Sequence, residues 1–285
     1  MDKVIELKNI NKNLSNFSIK NLNLSINKGY VTGFIGANGS GKSTTIKMIM
    51  NLVKPDSGDL KIFGLNHHDN EKDIKQRIGF VYDDNIYYEG LNLQDLQKII
   101  APAYKNWNRS SFNHYINKFN LPTNKPIKIF SKGMRMKAAL VLALSHDPEL
   151  IIMDEPTAGL DPVFRKDLLK TLQEIMIDEN KSIFFSTHVT SDLEKIADYI
   201  VFIKDGSIIF NHSINTLQND FSVVKGDRLL IDRDTTQEFE YINYKGDTFE
   251  AMTKNPARVS EIFGNEVVID NISLEDIMYF LNGDD

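Results

Sequence analysis

The chain has 285 residues, 41% of them hydrophobic and 25% charged, with a net charge of −6 and no cysteine. This length accommodates one large domain with an appendage, or two domains. The acidic balance argues against a nucleic-acid-binding protein, and the lack of cysteine excludes disulfides and thiolate metal sites.

Membrane and export signals are also missing from the sequence pattern. No apolar run approaches the roughly 20 residues that a membrane helix needs, and the first residues lack the apolar segment of a secretory signal. We therefore expect a cytoplasmic protein without direct membrane insertion. Any association with a membrane would depend on a partner.

The first third of the chain predicts a β-rich region that leads into a glycine-rich loop. Apolar patterning and turn signals predict strands at residues 4–8, 17–26, 30–35, 59–63 and 78–82, and a helix at 71–76. The polar segment with His67, His68 and Asp69 lacks a second ligand pair nearby, so we expect it to be a solvated loop rather than a metal site.

The glycine-rich loop, residues 36–44, reads GANGSGKST between a predicted strand and an apolar helical pattern. It fits G-x-x-x-x-G-K-[ST], in which glycines let consecutive N–H groups point at phosphate oxygens. The helix that follows aims its positive end at the same anion. This pattern predicts an ATP site, with Lys42 bridging the β- and γ-phosphates and the Ser43 hydroxyl ligating Mg²⁺. The candidate contacts are Gly36, Ala37, Asn38, Gly39, Ser40, Gly41, Lys42, Ser43 and Thr44.

The middle of the chain predicts a helical insertion over about residues 84–147, where apolar residues recur at helical spacing. Strands return at 150–153, 182–186 and 199–203, alternating with helices at 162–177 and 191–196. This alternation is typical of a parallel sheet, whose ligands lie at the carboxyl ends of the strands. Asp154 and Glu155 stand at such an end, so we assign Asp154 to the metal and Glu155 to the attacking water.

The last part of the chain changes in composition. Alternating stretches at 227–252 with a turn at 245–247 predict a hairpin, followed by helices at 257–263 and 273–281. Ser273, with Asp276 three residues later, predicts an N-terminal cap. We expect an α/β nucleotide-binding domain at 1–220 and a small α+β appendage at 221–285.

Five motifs in this order resemble the ATP-binding cassette (ABC) ATPases, the nucleotide-binding subunits of ABC transporters. They read GANGSGKST, FSKGMRMKAAL, LIIMDEP, TAGLDP and STH. The resemblance implies a P-loop parallel-sheet core with an antiparallel β subdomain and a helical insertion. It also implies that Glu155, His188 and Lys42 are catalytic, His188 by contacting the γ-phosphate and holding base and water.

In that family two ATPase domains close head to tail over two ATP molecules. The resemblance therefore implies that Ser131, Gly133 and Asp161 act across a homo- or heterodimer, an arrangement that the sequence leaves open. The usual LSGGQ segment is FSKGM here, with Lys132 in place of the first glycine and Met134 in place of the glutamine.

Two other positions depart from the family pattern. Asp83 stands where a Mg²⁺-sensing glutamine is usual, and we expect it to take that role. Leu14 stands where a tyrosine usually stacks on adenine; Phe17 is either its substitute or a core strand residue. Because Leu14 cannot stack, we expect loose purine selectivity.

The resemblance implies an ATP-hydrolysing motor subunit, on the cytoplasmic side of the cell membrane, attached to an integral membrane permease. A groove near Tyr87, Tyr88 and Trp107 would receive the permease, although these aromatic residues could equally serve packing. FVYDD, FSKGM and SLEDIMYFL resemble exporters of antimicrobial or amphipathic peptides, including phenol-soluble modulin toxins. The alternatives are a soluble ABC ATPase on ribosomes or DNA and a regulatory module that binds ATP without hydrolysing it.

Overall fold

The computed structural model describes residues 2–82 and 88–282. Contacts divide the chain into two compact units, Met1–Asn211 and His212–Asp285, so the division falls ahead of the expected boundary at 220/221. In the described residues, no helix is both long enough and apolar enough to cross a membrane.

The strands of the first unit form two sheets. In chain order they are β1 (Lys3–Leu14), β2 (Phe17–Asn27), β3 (Val31–Ile35), β4 (Ser57–Ile62), β5 (Leu65–Asn66), β6 (Ile78–Val81), β7 (Leu150–Asp154), β8 (Ser182–Ser186), β9 (Tyr199–Lys204) and β10 (Ser207–Ser213). One sheet has the order β2-β1-β4-β5 and the other β10-β9-β3-β8-β7-β6. The pairings of β1 with β2 and β4 are antiparallel, which confirms the predicted antiparallel β subdomain.

The six-stranded sheet positions the candidate site. Strand β3 pairs in parallel with β8 and β9, and β7 pairs in parallel with β6 and β8. Every residue of β3, β7 and β8 is buried, as expected for strands covered on both faces. Because parallel strands end at the same edge, the segments after β3, β7 and β8 lie together there.

The helices of the first unit connect these strands. They are α1 (Lys42–Ile49), α2 (Glu71–Gln76), α3 (Leu93–Ile100), α4 (Arg109–Lys118), α5 (Lys132–Leu144), α6 (Pro162–Ile175) and α7 (Thr190–Ile196). Helices α3, α4 and α5 lie within the predicted helical insertion, and the contiguous run 138–144 of α5 is buried. Helix α6 ends at Ile175, two residues earlier than predicted, where Met176 terminates it with its N–H bonded within the last turn.

The expectation that His67 is solvated was wrong. Its side chain is only 5% exposed, while His68 is exposed. Burial lowers the pKa of His67, an effect opposed by a hydrogen bond with the backbone of Ile49. No group of three or more His, Asp or Glu side chains in the described part of the chain is placed to hold a metal.

The second unit contains α8 (Ile214–Asp220), β11 (Ser222–Asp227), β12 (Tyr241–Lys245), β13 (Thr248–Thr253), α9 (Pro256–Phe263), β14 (Val267–Asn271) and α10 (Leu274–Asn282). Its sheet has the order β12-β13-β11-β14, and Val224, Phe249, Val259 and Phe263 share one core. The predicted hairpin is β12–β13. The stretch 228–233, read from the sequence as alternating, instead begins with a 3₁₀ turn, Arg228–Leu230.

The predicted cap of the last helix is confirmed. The Ser273 hydroxyl accepts from the backbone N–H of Asp276 at 3.0 Å. In return, the Asp276 carboxylate accepts from the backbone N–H of Ser273 at 2.9 Å. This reciprocal pair satisfies two N–H groups at the start of α10.

Candidate nucleotide site

The loop after β3 requires glycine at two positions. Gly36 has φ 159°, and a methyl group there would lie 2.3 Å from the Ile203 carbonyl oxygen. Gly41, the residue before α1, has φ 111°, and a methyl group there would lie 2.9 Å from the Phe17 ring. Side chains at these two positions would therefore push the loop away from the sheet.

Lys42 is the cation at the centre of this loop. Its ammonium donates to the carbonyl oxygens of Gly36, at 2.8 Å, and Ala37, at 3.2 Å. Burial lowers the pKa of Lys42, and the charges of Glu155 and Asp154 act in the opposite direction. A buried ammonium that donates to carbonyls of its own loop can exchange them for phosphate oxygens.

Asp154 ends β7 with its carboxylate almost fully buried. Its Oδ1 accepts from the Ser43 hydroxyl at 3.3 Å and from the Ser186 hydroxyl at 2.5 Å. Ser43 and Asp154, assigned to the metal from separate motifs, therefore lie in contact. These oxygen donors fit Mg²⁺, which takes few protein ligands and is completed by phosphate oxygens and water.

Glu155 follows Asp154 and meets His188, which follows β8. Its Oε2 lies 2.8 Å from the His188 Nδ1 and accepts from the His188 backbone N–H at 3.3 Å. Its Oε1 lies 3.9 Å from the Lys42 ammonium. Glu155 also has φ 49°, a left-handed conformation that is uncommon for a side chain of this size and that local contacts must hold.

Sequence reasoning missed Ser186, although it occupies the last position of β8. Its hydroxyl donates to Asp154 and accepts from the backbone N–H of Glu155 at 3.1 Å. One serine therefore bonds the carboxylate of Asp154 and the backbone of Glu155. The signal was available, because a polar residue ending the apolar strand 182–186 lies at the ligand edge of the sheet.

Leu14 and Phe17 also reach the phosphate loop. A cavity of about 340 Å³, here called the Lys42 cavity, is lined by Leu14, Phe17, Asn38, Gly39, Gly41, Lys42, Ser43, Thr44 and Glu155. Leu14 is 43% exposed and Phe17 is half-buried against Gly41. Both apolar side chains therefore line the same cavity as the phosphate loop.

We expect ATP and GTP to bind with affinities within about five-fold of each other, because apolar contact with Leu14 does not read the base edge. A stacked aromatic ring contributes about 1–3 kcal/mol per base, so Leu14→Tyr should tighten both nucleotides by about five-fold or more. Binding titrations with the two nucleotides measure this. A strong ATP preference in the wild-type chain would contradict it.

Ser131, Gly133 and Asp161 do not line the Lys42 cavity. Ser131 caps α5 by accepting from the Met134 N–H at 3.3 Å, and Asp161 caps α6 by accepting from the Phe164 N–H at 2.9 Å. A methyl group on Gly133 would lie 3.6 Å from the Phe164 ring. The starts of α5 and α6 are therefore neighbours within one chain, and these three residues lie outside that chain's own Lys42 cavity.

The remaining predicted residues are only partly described. Asp83 and Tyr87 lie outside the described residues. Tyr88 is 78% exposed. Trp107 is half-buried and packs near Tyr104 and Phe112, with ring centroids 6.4 and 5.9 Å away.

The family model for the ABC transporter matches residues 19–158. A bacitracin transport ATP-binding protein of Bacillus licheniformis is 34% identical over 67% of this chain and 63% of its own length. A lantibiotic transport ATP-binding protein of Streptococcus pyogenes is 31% identical over 76% of this chain and 93% of its own. A solved dimeric structure of a bacterial ABC transporter cassette is 25% identical, covering 74% of this chain and 98% of that one with a TM-score of 0.65. The chain therefore belongs to the ABC transporter family of ATPases and has the family's nucleotide-binding fold.

Proposed function

We propose that this chain is the ATP-hydrolysing motor subunit of a transporter that exports peptides or other amphipathic compounds. The observation that carries the catalytic part is the position of Glu155, whose two carboxylate oxygens contact His188 on one side and face Lys42 on the other. A base beside the cation that binds the γ-phosphate is suited to direct water at that phosphate.

Each residue has one part in this reaction. Glu155 orients the attacking water and takes its proton, while His188 fixes the Glu155 carboxylate. Lys42 neutralises charge that develops on the phosphoryl oxygens. Ser43 and Asp154 would hold Mg²⁺, which supplies charge neutralisation when bound.

We infer that two copies, or one copy and a close relative, form the working unit. Ser131, Gly133 and Asp161 do not line the Lys42 cavity of their own chain, so a second chain would bring such residues to the phosphates. The dimeric cassette structure described above supports this arrangement. The start of α5 would then direct its positive end at the phosphate of the opposite chain.

The permease partner would dock on a second cavity of the first unit, which differs from the groove expected from the sequence because Tyr88 and Trp107 do not line it. This docking cleft, of about 770 Å³, is lined mainly by apolar side chains, among them Met50, Val53, Phe80, Ile99, Ile100 and Tyr104. Ile99 is 58% exposed there. A large apolar cleft in a water-soluble unit suits an inserted segment of another protein. It would hold the chain on the cytoplasmic side of the membrane.

We expect Ile99→Asp to abolish copurification of the permease while leaving basal ATP hydrolysis unchanged, since a carboxylate would be buried on docking without a partner. Ile177→Asp is the matched control, because Ile177 is 81% exposed and does not line the docking cleft. Affinity purification from native membranes measures permease copurification for both variants, and phosphate release measures their basal ATP hydrolysis. Equal retention of the permease by the two variants would refute the docking site.

The names of the bacitracin and lantibiotic relatives support peptide-like cargo for this chain. The comparisons give no support to the ribosome- or DNA-associated alternative, or to a non-hydrolysing module. The test is ATP-dependent movement of a labelled amphipathic peptide across vesicles that contain the chain and its permease. If ATP is hydrolysed but no tested peptide is moved, the proposed ATPase activity stands and the proposed peptide cargo is refuted.

A further inference from the structure

An ion pair between α6 and α7, Arg165 with Asp192, has no part in the reaction described so far. The Asp192 carboxylate in α7 has no exposed surface. The Nε of Arg165 in α6 lies 2.6 and 2.8 Å from its two oxygens. The guanidinium also donates to the Ser191 hydroxyl at 3.1 Å. Arg165 therefore contacts two consecutive residues in the first turn of α7.

The two helices joined by this pair follow the two catalytic residues along the chain. Helix α6 begins after the loop that starts at Glu155, and the Arg165 N–H donates to the carbonyl of its cap residue, Asp161, at 2.9 Å. Helix α7 begins two residues after His188, and the Asp192 N–H donates to the carbonyl of Val189 at 3.2 Å. The ion pair therefore closes a ring of contacts whose other link is the Glu155–His188 hydrogen bond.

His188 lies just before α7, so the first turn of that helix adjoins it. The His188 side chain is 53% exposed, and the cap residue of α7, Val189, makes no side-chain capping bond, although its N–H donates to the Thr187 hydroxyl at 3.0 Å. Leu193 seats one face of α7 on β3, where a methyl group on Gly33 would lie 2.4 Å from a Leu193 methyl. That contact lies on the β3 side of α7, whereas Arg165 bonds the first turn of α7 from α6.

We propose that Arg165 and Asp192 are positioning residues that hold His188 against Glu155. Without the pair, the first turn of α7 shifts relative to α6, and the histidine no longer fixes the carboxylate. A displacement of about 1 Å in a catalytic group can cost about 100-fold in rate. This inference rests on the proposed ATP hydrolysis.

Two variants test the pair: Asp192→Asn removes the charge, and Arg165→Lys keeps the charge but loses the guanidinium geometry. Both should lower kcat by on the order of 10- to 100-fold. Affinity for ATP should change less than two-fold, because the phosphate loop belongs to β3 and α1. Thermal melting shows that each variant is folded at the assay temperature.

The matched control is Glu149→Gln. Glu149 pairs with Arg77 at 2.6 and 2.8 Å, but at the amino ends of β6 and β7, the edge of the sheet opposite the site. The Glu149→Gln variant should keep kcat within two-fold of the wild-type value even if it lowers the melting temperature. If Glu149→Gln lowered kcat as much as Asp192→Asn does, the effect of Asp192→Asn would reflect a general loss of stability, and the proposal would be overturned.

A double-mutant cycle decides whether the pair acts through His188. Asp192→Asn should cost little further activity in a His188→Ala background, whereas independent effects would add. Additive losses would overturn the proposal. The NMR signal of the His188 ring, identified by its loss in His188→Ala, should shift in Asp192→Asn and not in Glu149→Gln. The NMR shift tests the positioning proposal even if the wild-type chain does not hydrolyse ATP. Such a lack of hydrolysis would refute the proposed function but not the positioning of His188.

Discussion

Replacing Glu155 with Gln is expected to slow ATP hydrolysis by about 10²–10⁴-fold, the usual contribution of a positioned general base. The amide is nearly isosteric and still accepts a hydrogen bond from the His188 backbone, so the site geometry is retained. Binding of ATP should persist, and the closed pair of chains should accumulate because it cannot complete the reaction. Phosphate release and size-exclusion chromatography with Mg²⁺ and ATP measure the two effects.

Glu179→Gln is the control for this variant, since it makes the same chemical change at an exposed position outside the Lys42 cavity. It should hydrolyse ATP as the wild-type chain does. Hydrolysis by Glu155→Gln at more than a tenth of the wild-type rate would show that another group activates the water.

Replacing Lys42 with Ala is expected to weaken ATP binding by about 10- to 150-fold, which corresponds to the roughly 1.5–3 kcal/mol of a hydrogen bond to a charged group. The buried ammonium is also the cation that faces Glu155, at 3.9 Å, with Asp154 nearby. Its loss leaves two carboxylates opposing the triphosphate. Titration with a fluorescent ATP analogue on the isolated chain measures the affinity.

Lys47→Ala supplies the matched control, because Lys47 lies on the same helix and lines the docking cleft rather than the Lys42 cavity. It removes the same charge and should bind the nucleotide like the wild-type chain. Equal weakening by both variants would attribute the effect of Lys42 to net charge and not to contact with phosphate.

The catalytic constellation was largely predictable because each member belongs to a short motif tied to a strand end. Glycine at 36 and 41, the Lys42–Ser43 pair and the acidic pair at 154 and 155 all follow apolar strands that the sequence shows clearly. Parallel strands end at one edge of a sheet, so strand ends far apart in sequence are predicted to meet. The contacts of Asp154 with Ser43 and of Glu155 with His188 bear out that reasoning.

The appendage was harder to predict. Strands β11 and β14 were not predicted from the sequence. In the sheet β11 is central and β14 is at the edge, and they pair with each other across more than 40 residues, as between Ser222 and Asn271. Alternation of apolar and polar residues along a short stretch indicates a hairpin such as β12–β13, but it does not indicate which distant strand will pair with it.

By itself, the sequence determined the family, the phosphate loop and the strand ends that carry the candidate site residues, since these depend on local backbone requirements and residue chemistry. Only the tertiary structure decided that His67 is buried, that Ser186 bonds both the Asp154 carboxylate and the Glu155 backbone, and that Arg165 pairs with Asp192. The physical reason is that burial and ion pairing depend on which surfaces are brought together in three dimensions. No local pattern of residue types encodes that information.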